Sequence, residues 1–184
     1  MSTLVLPDPS LVVLVGAAGS GKSTLARRLF AADEIVSSDA LRAVVSGSEA
    51  TQSASKVAFR ILHRTIDRRL ADGVMAVVDA TNTRSEHRRP LLLRARIAGT
   101  PVVAIVLDLP PAAVLQQNAA RTERVVDADI VERHLAAIRH DVDRGRFTTE
   151  GFDHIVMLRS RPDVASFRVD RGCAGRSGLN RSGA

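Results

Sequence analysis

The chain has 184 residues, which suits one domain with a full hydrophobic core, and 45% of them are apolar. Aromatics make up only 3%, with no Trp and no Tyr, so the core is expected from Val, Leu, Ile and Ala, and the composition argues against an aromatic stacking platform for single-stranded nucleic acid. The single cysteine, Cys173, leaves no internal disulfide and argues against a zinc centre, while the formal charge of +6, carried almost wholly by arginine, suits either an anionic partner or an arginine-biased composition.

Leu11–Val15 is a continuous apolar run and reads as a buried parallel strand, with a helix over Ser23–Ala32 after it. Glu34–Ser37 is a short second strand, and Ala40–Val45 a short helix behind the capping cluster Ser37-Ser38-Asp39. Gln52–Leu70 carries Val57, Ala58, Ile61, Leu62, Ile66 and Leu70 at helical spacing. Val74–Val78 is a third strand ending at Asp79. Arg84–Ala98 is an arginine-rich helix closed by Gly99, in which Pro90 marks a kink or the true start. Val102–Leu107 is a fourth strand, Pro110–Ala120 a helix, and Asp127 or Asp129 caps another helix running to Asp143. Phe152–Leu158 is the fifth strand.

Strands alternating with helices predict a three-layer α/β fold with a mostly parallel five-stranded sheet. The domain is expected over residues 1–169, and the Gly-, Ser- and Arg-rich stretch 170–184 is expected to be a disordered tail. Met1–Ser10 has no basic region of a signal peptide, and no apolar run reaches the ~18 residues of a membrane span. These features predict a cytoplasmic chain without a membrane partner.

Residues 16–24 read Gly16-Ala17-Ala18-Gly19-Ser20-Gly21-Lys22-Ser23-Thr24 and match the phosphate-loop pattern in full. Such a loop wraps its backbone N–H groups around a polyphosphate, and its glycines permit the left-handed turns this needs. The following helix points its positive end at the anion. Lys22 is placed for the β- and γ-phosphates and Ser23 for Mg²⁺, so an NTP and Mg²⁺ are the expected cofactors. Thr24 serves either as a further contact or as helix packing.

Asp39 follows the second strand, at the sheet edge that carries the phosphate loop. A carboxylate there would orient an acceptor hydroxyl and take its proton; the plainer role is a helix N-cap. Arg42, three residues on, shares its helical face and would hold an anionic group of the acceptor. Asp79 at the end of the third strand has the place of a carboxylate that acts on Mg²⁺ through water. Arg121 and Arg124 flank a gap between helices, either as an arginine flap over the triphosphate or as a solvated linker. The five histidines show no metal-ligand spacing and read as structural or exposed.

With these residues in hand, the chain resembles the 5′-kinase domain of bacterial polynucleotide kinase-phosphatase, from about Leu11 to Leu158. The likeness is carried by Gly16–Thr24, Ser37-Ser38-Asp39, Arg42, Gln52-Ser53-Ala54, Val78-Asp79-Ala80-Thr81-Asn82, Arg89-Pro90-Leu91-Leu92, and Asn118 with Arg121 and Arg124. It implies transfer of the γ-phosphate of an NTP to the 5′-OH of RNA or DNA. It also implies that Asp39 is the general base, that Arg42 and Gln52 contact the acceptor strand, and that Arg121 and Arg124 form the lid. The chain departs from the family pattern at Thr51, where Asp is usual, and at Val125-Val126, where the lid has an aromatic. The phosphate-loop and Asp39 arguments apply equally to a kinase of small alcohols, and the phosphate loop alone to a nucleotide-gated ATPase.

Overall fold

A computed structural model describes residues 3–46, 52–122 and 125–173. The expected apolar runs become a five-stranded parallel sheet: β2 (Leu11–Gly16), β3 (Ile35–Ser37), β4 (Ala76–Asp79), β5 (Val102–Leu107) and β6 (His154–Leu158), in the order β3-β4-β2-β5-β6. Alternation along each strand sends side chains to opposite faces. Leu11, Val13 and Val15 join one core cluster and Val12 and Leu14 the other; Val102, Ala104 and Val106 part in the same way from Val103, Ile105 and Leu107. Both faces are covered, which is why β2 and β5 read as unbroken apolar runs. Truncating one such side chain, as in Leu14→Ala, is worth about 2–5 kcal/mol.

The helices are α1 (Lys22–Leu29), α2 (Ser38–Ser46), α3 (Gln52–Ala71), α4 (Ser85–Ala98), α5 (Pro111–Ala119), α6 (Ala128–Asp143), α7 (Arg146–Glu150) and α8 (Arg161–Ser166). On α3 the buried stripe is Ala58, Leu62, Ile66 and Leu70, whereas Val57 and Ile61, expected with it, lie on the exposed side. A four-residue step keeps one narrow stripe inward, and the two extra residues widen it past the contact. Pro90 does not break α4, which runs unbroken from Ser85 to Ala98. Asp127 caps α6, its carboxylate accepting from the backbone N–H of Asp129 at 2.8 Å.

A second, two-stranded parallel sheet pairs β1 (Thr3–Asp8) with β7 (Arg168–Cys173), and neither strand was expected. The tail expected from Asp170 is corrected here, because Asp170–Cys173 belong to β7; residues 174–184 lie outside the described residues. Polar composition hid the strand. It is held by buried Leu6 and Phe167, and by Arg171, which pairs with Glu34 at 2.7 Å and with Asp8 at 3.5 Å.

The strand order fixes where a ligand can bind. From central β2 the chain crosses outward to β3, returns to β4, and then passes over β2 to β5. This reversal opens a crevice beyond the C-terminal end of β2, where Gly16 ends the strand. No helix among the described residues is long and apolar enough to cross a membrane.

Candidate active site

Backbone shapes the phosphate loop first. Between β2 and α1 the chain turns through Ala17–Gly21, with Gly19 and Gly21 at φ of +80° and +93°, the left-handed region that favours glycine. Space is equally tight: a Cβ on Gly16 would stand 2.6 Å from Ser20 Oγ, and one on Gly19 would stand 2.7 Å from Cβ of Asn118.

Lys22 is buried, and its Nζ donates to the carbonyls of Gly16 at 2.9 Å and Ala17 at 2.8 Å. Burial pulls its pKa from 10.5 down to about 8, against the raising influence of Asp79 and Asp39, and the nearby Arg121 adds to the fall. The ammonium thus lies within electrostatic reach of the three other residues expected to carry the chemistry. Ser20 Oγ is buried without a hydrogen-bond partner, an expense that a bound acceptor oxygen would relieve. Glycines that admit no Cβ, a buried ammonium, an orphaned hydroxyl and a helix N-terminus fit a polyphosphate. Ser23 and Asp79 offer the hard oxygen donors that suit Mg²⁺.

A cleft of about 730 Å³ gathers most of the expected residues: Ala18, Gly19, Gly21, Lys22, Ser23 and Thr24 from the loop and α1. Asp39 and Arg42 from α2, Asp79 from β4, and Arg121 beyond α5 complete it. Gly16, Ala17 and Ser20 stand behind this wall, with Ala17 packed into the core. Gln52 is the first residue of α3, its side chain outside the described residues, as is the whole of Arg124.

On the acceptor side, Ser37 of β3 pairs in register with Asp79 of β4, so the chain leaves both strands at one level. Asp39 and Arg42 form an ion pair of 3.0 Å, and Arg42 Nη2 donates to Ser38 Oγ at 3.3 Å. Asp39 is exposed to the cleft, whereas Asp79 is buried. The turn after Asp79 is fastened to the phosphate loop's strand. Gly16 N donates to Thr81 O at 3.0 Å, and Asn82 Nδ2 donates to Leu14 O at 2.8 Å.

Sequence reasoning missed the residue that holds this turn from outside. Arg88, on α4, is fully buried and donates from Nη1 to Asn82 O at 3.0 Å. Its other nitrogens meet Glu150 at 2.6 and 2.7 Å and Asp141 at 2.6 Å, with the ring of Phe147 4.4 Å from the guanidinium carbon. Its partners lie 53 and 62 residues away, so no local pattern marked it among so many arginines. Asn118 also serves the site. Its side-chain Nδ2 donates to Val126 O at 2.6 Å and its Oδ1 accepts from Val126 N at 3.2 Å, which ties the two ends of the Arg121-bearing segment together.

The histidines depart from expectation in one respect: His63, His87 and His134 line the cleft. Burial lowers the pKa of all three, and Lys22 adds to the lowering at His134. Among the described residues no group of three or more His, Cys, Asp or Glu is placed to hold a metal.

Residues 11–144 match the model of a family described as an AAA domain. A comparison with curated protein sequences gives no significant match. Among solved structures, a chain of the Pnkp1/Rnl/Hen1 RNA repair complex is similar at TM-score 0.64 and 21% identity, over 76% of this chain and 47% of that one. A gluconokinase from Sinorhizobium meliloti 1021 is similar at TM-score 0.56 and 19% identity, over 87% of both chains. A sugar kinase from Janibacter sp. HTCC2649 is similar at TM-score 0.54 and 21% identity, over 82% of this chain and 85% of that one. At these identities the likeness establishes a shared P-loop kinase-like fold, and the acceptor has to be read from the site.

Proposed function

The chain belongs to the AAA domain family, and from that premise and the geometry of the cleft we propose that it is a kinase moving the γ-phosphate of ATP or another NTP to the 5′-hydroxyl of an RNA or DNA end. One observation carries the choice of acceptor: Asp39 and Arg42 stand side by side, 3.0 Å apart, in the cleft that holds Lys22. A base with a guanidinium beside it suits a hydroxyl that has a phosphate as its neighbour. A neutral sugar or other uncharged alcohol gives Arg42 nothing to hold, so among small acceptors only one that carries an anion, such as a sugar acid, competes with this reading.

In the reaction the 5′-hydroxyl oxygen forms a bond to Pγ while the bond from Pγ to the β,γ-bridging oxygen breaks, leaving a nucleoside diphosphate. The hydroxyl proton passes to the Asp39 carboxylate. Lys22 exchanges the carbonyls of Gly16 and Ala17 for β- and γ-phosphate oxygens, and the loop N–H groups line the same chain of phosphates. Ser23, with Asp79 behind it through water, would hold Mg²⁺, which when bound neutralises charge on those oxygens. Arg121, and Arg124 with it, bring further positive charge toward the transferring group, and Gln52 supports the acceptor strand. Most of the acceleration is positioning and charge stabilisation.

The test is transfer of γ-labelled ATP to 5′-OH RNA and DNA oligonucleotides beside small sugar acids and alcohols. Label in the oligonucleotide is expected. Label in a small alcohol and never in a strand would replace this reading with a small-molecule kinase, and label in inorganic phosphate alone would replace it with an ATPase.

A further inference from the structure

A second groove of about 560 Å³ adjoins the cleft, between α3 and α4. Lys56, Arg60 and Arg64 project along it from one face of α3 at four-residue steps, with Arg94 opposite on α4. Arg94 is neutralised by Asp67 at 2.9 Å, but among the described residues Lys56, Arg60 and Arg64 meet no carboxylate. Phe59 and His63 line both the groove and the cleft, so the two are one continuous surface running to Asp39.

Phe59 stands apart in a chain this poor in aromatics. Phe30, Phe147, Phe152 and Phe167 are all buried in the core. The fifth phenylalanine, Phe59, is half-buried and sits where groove meets cleft. The composition argues against a platform for several bases, yet it leaves one ring, placed at the junction. A flat apolar face beside a row of three uncompensated cations matches one stacked base with a sugar-phosphate backbone running alongside it.

We propose that this groove is the acceptor-strand track, in which Phe59 stacks a base near the 5′ end while Lys56, Arg60 and Arg64 hold the strand's phosphates on either side of it. The inference rests on the 5′-hydroxyl reading for its direction, since the strand must run outward from Asp39. It goes beyond that reading by naming a site for the strand's interior.

Binding of a 5′-OH octanucleotide labelled at its 3′ end, followed by fluorescence anisotropy over a salt series, tests the track. The triple variant Lys56→Glu, Arg60→Glu, Arg64→Glu is expected to weaken binding about a hundredfold at low salt and to reduce the log–log salt slope by about 2, as loss of three single-strand phosphate contacts requires. Phe59→Leu is expected to weaken it about tenfold, with Phe59→Tyr close to the parent because the ring is kept. In transfer assays the triple variant should lower kcat/KM for the octanucleotide about tenfold more than kcat/KM for a nucleoside 3′-monophosphate, which is too short to enter the groove. An unchanged affinity and salt slope in the triple variant would overturn the track while leaving the kinase reading in place. Octanucleotide binding with the expected dependence, but no phosphoryl transfer by the parent, would overturn the kinase reading while keeping the track. A polyglutamate peptide that binds with equal dependence on the three cations and none on Phe59 would replace the strand by an acidic protein partner.

Discussion

Gly19 and Asn118 meet so closely that a methyl group on Gly19 would lie 2.7 Å from the Asn118 Cβ and 3.0 Å from its backbone N and Cα. The contact presses the phosphate loop onto α5, and the Asn118 amide clasps Val126 from the same spot. One small residue thus lets the donor loop and the root of the Arg121 segment share a wall. Gly19→Ala must pay for a left-handed backbone, about 1–3 kcal/mol, and then push a rigid backbone aside. Gly73, at φ +66° with nothing within 4 Å of its Cβ position, isolates the first of these effects. Thermal denaturation should therefore show Gly19→Ala less stable than Gly73→Ala, and a nucleotide titration should show at least a tenfold loss in the former alone.

Lys22 makes nucleotide binding depend on pH. In the free chain its pKa is about 8, because burial outweighs the neighbouring carboxylates. A triphosphate replaces two neutral carbonyls with negative oxygens and draws a proton back onto the amine. Above pH 8, binding should take up about one proton per nucleotide, read by calorimetry in two buffers of different ionisation enthalpy, and affinity should fall as pH rises. Stability of the free chain moves in the opposite direction. Between about 8 and 10.5 the unfolded chain binds more protons at this site, so the free energy of unfolding rises with pH across that window. Lys22→Met should abolish both effects.

Arg88 carries the polar interior behind the site. Replacing it with Met leaves Glu150 and buried Asp141 without their principal counter-charge and frees the Asn82 carbonyl. Breaking such a buried pair costs about 3–5 kcal/mol. Urea denaturation should register that loss. Arg88→Lys should recover only a small part of it, since an ammonium cannot form the same planar fork.

Local signals account for what could be read in the sequence. Val12–Val15 and Val102–Leu107 announce buried strands because every side chain is apolar, and the glycine spacing of residues 16–21 announces the loop between strand and helix. The order β3-β4-β2-β5-β6 has no such local mark, yet it is what brings Asp39, Asp79 and Lys22 to one crevice. Arg88 was hidden because its meaning lies in carboxylates from α6 and α7. β7 was hidden because Asp170, Arg171 and Gly172 look like a tail until Arg171 meets Glu34 across the fold. His134 lines the cleft through the rotation of α6, which helical periodicity leaves open by one residue.

In the proposed reaction Asp39 acts on transfer and not on donor binding, and two substitutions test this. It faces the cleft beside Arg42 and contributes to the field at Lys22. Asp39→Asn keeps the side chain's size and removes the proton acceptor, so kcat for transfer to a 5′-OH oligonucleotide should fall about 10²- to 10⁴-fold. ATP affinity should change little, and in the direction of tighter binding, because a negative charge near the triphosphate has gone. Arg42→Ala should act differently. With the guanidinium gone but the base in place, KM for the oligonucleotide should rise by about tenfold or more while kcat falls less. Steady-state kinetics on both variants, with ATP affinity measured separately, reads the two roles apart. Equal losses in kcat from the two substitutions would mean that the Asp39–Arg42 pair acts as one structural unit and that Asp39 is not the base.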